Sequence, residues 1–540
     1  MHRREISTEH PLFNFKDVDW TCVPEALRPY SSVMIQGAHP DYEAKLKKYC
    51  DQNIYCLLQT EYWNSFQHDW VIAPAELERL LDTYQNIIAV SVVEMSCFDL
   101  NDIQLERLLT IADICSRHGI YFLWEDMGYP DRKHVFAVAG DDPRFQEWLL
   151  AHSDTIIFQD KINGWGQYHL TRSMAMGYWL TGMSPAWGVN VEDFWWYEQG
   201  YAQLYAPSRS RTDYNIFKAR FGQKMAEMLL QMSEYACPEA LMGQILAAAL
   251  MQGACVVSFE VASRMIAYRD QLTPLFKRVL MPLHLMAVND GLISSKAQVT
   301  EKIKAAYVAD DWESDLFAIP CEQPFLDLYC PARALEKIAK DNSSGSVLQQ
   351  TGRYFVVPVV PEFLRDRAEK VFPELLDSQT VPDDKKRWFD QRYTETFGDG
   401  AYICRVGKCW LISHTEENAD ITRSFRDLPL CGGRFTVSGR LQPHSFILAF
   451  EKEDGLRLHL SNFRSDAVKG VFNNDRFAHY CEDYISNDCT FLGDDRETVL
   501  TVNGASSFRA EGGTVTVTTE GDARRLTVLH NGPVEIFLCQ

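Results

Sequence analysis

The sequence is poor in the features that most metal, nucleotide and nucleophile chemistries require. None of its 15 Cys stands in a CxxC and none pairs with His at zinc spacing, so neither a structural metal nor a metal cofactor is expected. There is no HExxH; His134, His152, His169 and His284 are scattered, which argues against a zinc hydrolase. The absence of a GxSxG elbow and of a P-loop removes the commonest serine hydrolase and nucleotide-phosphate readings. No run approaches the ~18 apolar residues of a membrane-spanning helix. Positive charge is scarce too. Lys+Arg 53 against Asp+Glu 74 leaves a net charge of −21, which would repel a nucleic acid or an anionic membrane and suits a neutral partner.

The odd cysteine count, with Cys56, Cys255 and Cys404 inside apparent strands, reads as free thiols in a reducing compartment. The start, MHRREISTEHPLFNF, is basic but lacks the apolar segment of an export signal. The chain as given is therefore expected in the cytoplasm, and secreted if a signal has been removed. With 46% hydrophobic and 24% charged residues, its 540 residues are ordinary globular material and long enough for a large barrel plus a second domain.

From about residue 31, short apolar runs alternate with amphipathic stretches, the pattern of βα units. Candidate strands are 32–37 (SVMIQG), 54–60, 87–95, 120–125 (IYFLWE), 155–159, 185–192, 255–260 (CVVSFE) and 353–360 (RYFVVPVV). Helical patterns cover 74–85, 102–117 and 238–252. Eight strands with intervening helices predict an α/β fold, a (β/α)8 TIM barrel over 1–385, with 341–346 (DNSSGS) as a surface loop. An open doubly wound sheet would want a glycine-rich phosphate turn, and none follows an early strand. Beyond about residue 388, short strands separated by Gly/Asp/Asn turns predict an antiparallel β-sandwich over 386–540. The connection at 381–390 (VPDDKKRWFD) is short and charged with no Gly/Ser tether, so the two domains should be tightly docked.

In such a barrel the working side chains project from the carboxyl ends of the strands. Glu61, Glu94, Glu125, Glu192 with Asp193, and Glu260 close candidate strands, although any one of them could simply be a solvated or ion-paired loop residue. Glu125 and Glu260 stand out because FLWE and VVSFE set them against apolar runs, a setting that raises a carboxyl pKa towards that of a general acid. If Val189 and Val191 face the helices, Gly188, Asn190 and Glu192 face the barrel interior. Trp63, Trp124, Tyr129, Trp165, Trp195, Trp196 and Tyr197 gather near these strand ends, where rings could stack on sugar faces if they are not core packing. Gln59, Gln159, Asn163 and Asn190 could bind hydroxyls. Cys97 is the best-placed thiol but lacks a recognisable His partner.

The segments WGVNVEDFWWYEQGY, PEALMGQILAAALMQGACVVSFE, TGRYFVVPVVP, GDGAYICRVGKCWLISH and LQPHSFILAFEKEDGLRLHLSNFRSD resemble glycoside hydrolase family 98, over most of residues 30–470. The resemblance implies an endo-acting, inverting glycosidase with a (β/α)8 domain and a β-sandwich, cleaving β-galactosidic bonds of blood-group-type glycans or β-1,4-xylan. It further implies Glu125 as general acid and Glu260 as one of an acidic pair acting as base. Asp213, Glu192 and Asp193 compete for the second place in that pair. Many retaining barrel glycosidases carry Asn immediately before the strand-four acid, where this chain has Trp124, which weakens a retaining reading. Two other readings stay open at this level: a catalytically idle carbohydrate-binding barrel, and a metal-dependent hydrolase using Glu61, Glu94 and Glu192.

Overall fold

The structure is a computed structural model that describes residues 4–16, 18–61, 69–95, 100–126, 134–162, 168–191, 239–259, 266–268, 271–309, 355–383, 385–395, 401–414, 422–442, 445–463 and 495–540. Eight parallel strands close a barrel: β1 Leu12–Lys16, β2 Ser31–Gln36, β3 Cys56–Glu61, β4 Ile87–Val93, β5 Tyr121–Asp126, β6 Ile156–Ile162, β7 Trp187–Val191 and β8 Val256–Phe259. The strands are covered on both faces, which is why runs such as IIAVSVV are apolar throughout and buried at every position. Helices between them begin and end on local signals. Asp102–His118 starts at an Asn101/Gln104 capping box and stops at Gly119 with φ 64°, while Pro74–Thr83 opens on a proline.

One strand of the barrel differs from the sequence expectation. The run 353–360 is not the eighth strand; LFNFK at 12–16 is the missing one, lying between β2 and β8. The reason is the barrel interior, which is polar near its mouth. Asn14 and Lys16 point inward, so β1 alternates like a half-exposed strand although every residue of it is buried. Every barrel strand therefore stands one place later than the sequence suggests: Glu125 lies on the fifth strand, and Phe259, the residue before Glu260, ends the eighth.

The apolar run at 355–360 is buried, but elsewhere. Val359–Pro361 pairs in parallel with Ala305–Ala309, which also pairs with Glu374–Leu376, in a separate three-stranded sheet. This sheet packs on helix Tyr168–Leu180, where a Cβ at Gly177 would lie 1.9 Å from the Val359 carbonyl oxygen. Only glycine permits so close an approach.

The C-terminal part is a sandwich of a six-stranded and a five-stranded antiparallel sheet. Between the sheets lies a core that includes Ile403, Trp410, Phe425, Phe435, Leu458 and Leu526. The other face of the six-stranded sheet, with Cys404, Leu411, Phe446, Leu448 and Phe450, belongs to the same apolar cluster as the barrel. The segment expected as a charged connection is largely helix Lys385–Tyr393, with Trp388, Phe389 and Tyr393 buried in that cluster. Asp290 of the barrel half pairs with Lys452 at 3.3 Å and with Arg457, and Arg457 pairs with Glu535 at 2.9 Å.

Candidate active site

Strand parity sorts the residues at the barrel mouth into two sets. Trp124 packs edge-on against Phe136 and Phe145 and donates its Nε1–H to Asp126 Oδ2 at 3.1 Å, so it faces the helix layer and offers no surface to a sugar. Leu123 and Glu125 therefore face the interior. On β6 the outward residue is Asp160, which accepts from Arg172 Nε of helix Tyr168–Leu180 at 3.2 Å, leaving Gln159 and Lys161 inward. On β7, Asn190 faces inward, as the parity of WGVNV predicts.

Inside the mouth, Asn190 Nδ2 donates to Glu125 Oε1, and both residues are fully buried. Gln159 stands beside Glu125 in register, also fully buried, with neither amide atom hydrogen-bonded among the described residues. Lys161 is paired in register with Asn190 and forms an ion pair with Glu94. Lower in the barrel, Asn14 donates to Ser258 Oγ at 3.0 Å and accepts from Ser32, so polar groups continue around β1, β2 and β8. Glu61, at the end of β3, is buried and accepts from the Val71 amide at 3.2 Å.

The setting of Glu125 differs from the one suggested by FLWE. Phe122 and Trp124 point away from its carboxyl, and of that run only Leu123 shares its face. Among the described residues, the amides of Asn190 and Gln159 adjoin the carboxyl, and its burial withdraws it from water. Burial alone disfavours the charged form.

Other buried titratable groups serve the scaffold. Burial pushes His134 down to about 3, so the ring is neutral; its Nδ1 accepts from the Phe136 amide, capping a helix, and its Nε2 lies 2.7 Å from Thr171 Oγ1. His284 is pushed down to about 4 by burial and donates through Nδ1 to the Leu280 carbonyl at 2.6 Å. Asp160 is pushed up to about 7 by burial, with Arg172 pulling the other way.

Of the site residues expected from sequence, Glu125, Gln159 and Asn190 are brought together on β5, β6 and β7. Glu192, Asp213, Glu260, Trp63, Tyr129, Trp165, Trp195 and Trp196 lie outside the described residues, as do Asp193 and Cys97. Sequence reasoning missed Lys161. The signal was present, because the alternation of IIFQDKI puts Lys161 on the same face as Gln159. A lysine in an apolar-flanked run, however, reads as a strand end turning to solvent.

A carboxyl, two amides and a lysine converge at the carboxyl end of a closed parallel barrel, the face at which barrel enzymes carry their working side chains. Residues 1–292 match the description "Glycosyl hydrolase family 98", and residues 296–540 match its C-terminal domain; the chain belongs to glycoside hydrolase family 98. A blood-group-substance endo-1,4-beta-galactosidase of Clostridium perfringens is 21% identical over 369 residues, 65% of this chain and 41% of that protein. The chain thus spans about two fifths of the length of that relative. The catalytic module of a family 98 glycoside hydrolase from Streptococcus pneumoniae, crystallised with the H-disaccharide blood group antigen, superposes with a TM-score of 0.77 at 20% identity, covering 99% of this chain and all of that one. The same module with the LewisY pentasaccharide gives the same score and identity over the same share of each chain.

Proposed function

We propose that this chain is an endo-β-galactosidase that hydrolyses blood-group-type glycans with inversion. The observation that carries the reading is Glu125, a fully buried carboxyl at the carboxyl end of a barrel strand, held on Oε1 by Asn190. Family membership supports glycosidase chemistry, and the named activity of the clostridial relative together with the sugars bound by the pneumococcal module supports the substrate class.

In this mechanism Glu125 donates its proton to the departing glycosidic oxygen. Glu260, with Asp213 or Glu192, removes a proton from the water that attacks the anomeric carbon on the opposite face, and inversion requires the two carboxyl groups to stand roughly 6.5–9.5 Å apart. Gln159, with neither amide atom hydrogen-bonded among the described residues, can offer a donor and an acceptor to a sugar hydroxyl or to a water beside the acid.

The test is incubation of the purified chain with LewisY pentasaccharide, an H-antigen glycan and β-1,4-xylan, with products read by mass spectrometry and proton NMR. Release of an oligosaccharide from the blood-group glycans, with the α anomer appearing first, is expected. Cleavage of xylan alone would replace the substrate assignment, binding without cleavage would indicate an idle barrel, and a β anomer appearing first would remove inversion. Glu125→Gln should lower kcat/KM by about 10²–10⁴-fold on the natural glycans and much less on an aryl glycoside whose leaving group needs no proton.

A further inference from the structure

Lys161 and Glu94 form an ion pair between β6 and the end of β4, and β5 lies between those two strands. Neighbouring strands are about 4.8 Å apart, so the two side chains span about 10 Å and meet over the end of β5, where Glu125 stands. Two backbone features hold Glu94 in place. Its φ is 60°, a left-handed conformation uncommon for a residue other than glycine, and its N–H donates to the Glu125 carbonyl at 3.1 Å. Lys161, 3% exposed, is next to Asn190 in register, and Asn190 is the residue that donates to the Glu125 carboxyl.

An acid that must enter the reaction protonated has a difficulty here, because a buried ammonium and an amide donor nearby both favour its ionised form. We propose that the Glu94–Lys161 pair sets the proton affinity of Glu125: the Glu94 carboxylate offsets the Lys161 charge, so that Glu125 keeps its proton near neutral pH. This rests on the reading of Glu125 as general acid. The backbone strain at Glu94 fits such a role, since strained residues persist where a side chain must be aimed. Neither residue is asked to touch substrate; both act through Glu125.

The other charged groups around Glu125 are few among the described residues. Glu61 ends β3 and is bonded to the Val71 amide, and Lys16 ends β1 on the far side of the barrel. Asp126 and Asp160 face the helix layer. Asn190 and Ser258, on β7 and β8, are neutral. Glu192, Asp213 and Glu260 lie outside the described residues and are unchanged in the variants below, so their effect cancels in the comparison.

Exchanging one charge at a time separates an electrostatic role from a structural one. Glu94→Gln makes the surroundings of Glu125 more positive by one charge and should lower its pKa by about one unit; Lys161→Met makes them more negative and should raise it by a similar amount. The double variant should return close to the wild type. The pKa is read on the full chain by infrared difference titration, following the protonated-carboxyl band that disappears in Glu125→Gln, and this readout needs no turnover. Shifts of opposite sign, cancelling in the double variant, are expected. Shifts of the same sign, no shift, or no titrating band attributable to Glu125 would overturn the proposal.

The alkaline limb of kcat/KM on LewisY pentasaccharide is recorded alongside. If it follows the infrared shifts, Glu125 is the acid whose proton the pair controls. If the infrared pKa moves in opposite directions while the limb stays fixed, the tuning stands and the general-acid reading fails.

Discussion

Asn190 on β7 donates an amide N–H to the Glu125 carboxyl on β5, reaching across β6 inside the barrel. The carboxyl is thus oriented by a residue two strands away, and both ends of the contact sit on strands rather than loops. A donor on Oε1 leaves Oε2 as the oxygen that can carry the proton.

On the proposed role of Glu125, Asn190→Ala should reduce kcat/KM about 10–100-fold, because a hydrogen bond to the charged carboxylate that forms as the proton departs contributes ~1.5–3 kcal/mol. The loss should fall mainly on kcat, since the contact orients the acid rather than the sugar. Steady-state kinetics with a parallel melting curve checks this. A loss confined to KM would mean that Asn190 contacts substrate instead.

A second expectation concerns pH. The folded-state pKa of Asp160 is pushed up to about 7 by burial, above the ~3.9 of an unfolded chain. A carboxyl raised in the folded state gives its full contribution to stability below the unfolded value and loses it as pH rises to the folded one. Stability from this site should decline between about pH 4 and pH 7, by order of a few kcal/mol in all. Asp160→Asn lacks that dependence, so its melting temperature should gain on the wild type as pH rises through this window. A constant gap would show that Arg172 keeps Asp160 ionised throughout.

Much of this architecture was legible in the residues themselves. The seven strands from SVMIQ to CVVSF were visible as apolar runs because parallel barrel strands are buried on both faces. Strand β1 was hidden by Asn14 and Lys16, polar residues that serve the interior of the barrel mouth and make LFNFK look like a surface strand. RYFVVPVV was misplaced for the converse reason: burial against a helix and burial inside a barrel give the same apolar run. At the site, the parity of WGVNV was enough to turn Asn190 inward. The same parity read on YFLWED turns Trp124 outward, a consequence obscured by its position among other ring residues. The Glu94–Lys161 pair could not be read, because it depends on a positive φ at Glu94 that no local glycine announces.

The sandwich should be needed for the barrel to stay soluble. Phe446, Leu448 and Phe450 of its six-stranded sheet share one apolar cluster with the barrel, and helix Lys385–Tyr393 buries Trp388 and Phe389 there too. Ending the chain at residue 385 would open that apolar surface to water, and contiguous apolar patches of this kind promote aggregation. The fragment should be insoluble or melt far lower than the full chain. Recovery of a soluble fragment with the full chain's melting temperature would show that the two halves are independent.

The tightest helix contact of the small parallel sheet offers a test by sign. Replacing a helical glycine by alanine ordinarily stabilises a protein by about 0.4–1 kcal/mol where the backbone permits it. At Gly177, in helix Tyr168–Leu180, the added Cβ would stand 1.9 Å from the Val359 oxygen and 2.7 Å from its carbonyl carbon. Both are backbone atoms of a strand bonded to Ala305–Ala309, so no rotamer change relieves the clash and helix and strand must separate. Overpacking of this kind costs about 1–3 kcal/mol. Gly177→Ala should then lower the melting temperature, and adding Val359→Ala should not restore it, because the obstruction is the carbonyl and not the side chain. A rise in melting temperature would mean that strand Val359–Pro361 does not sit against this helix in solution.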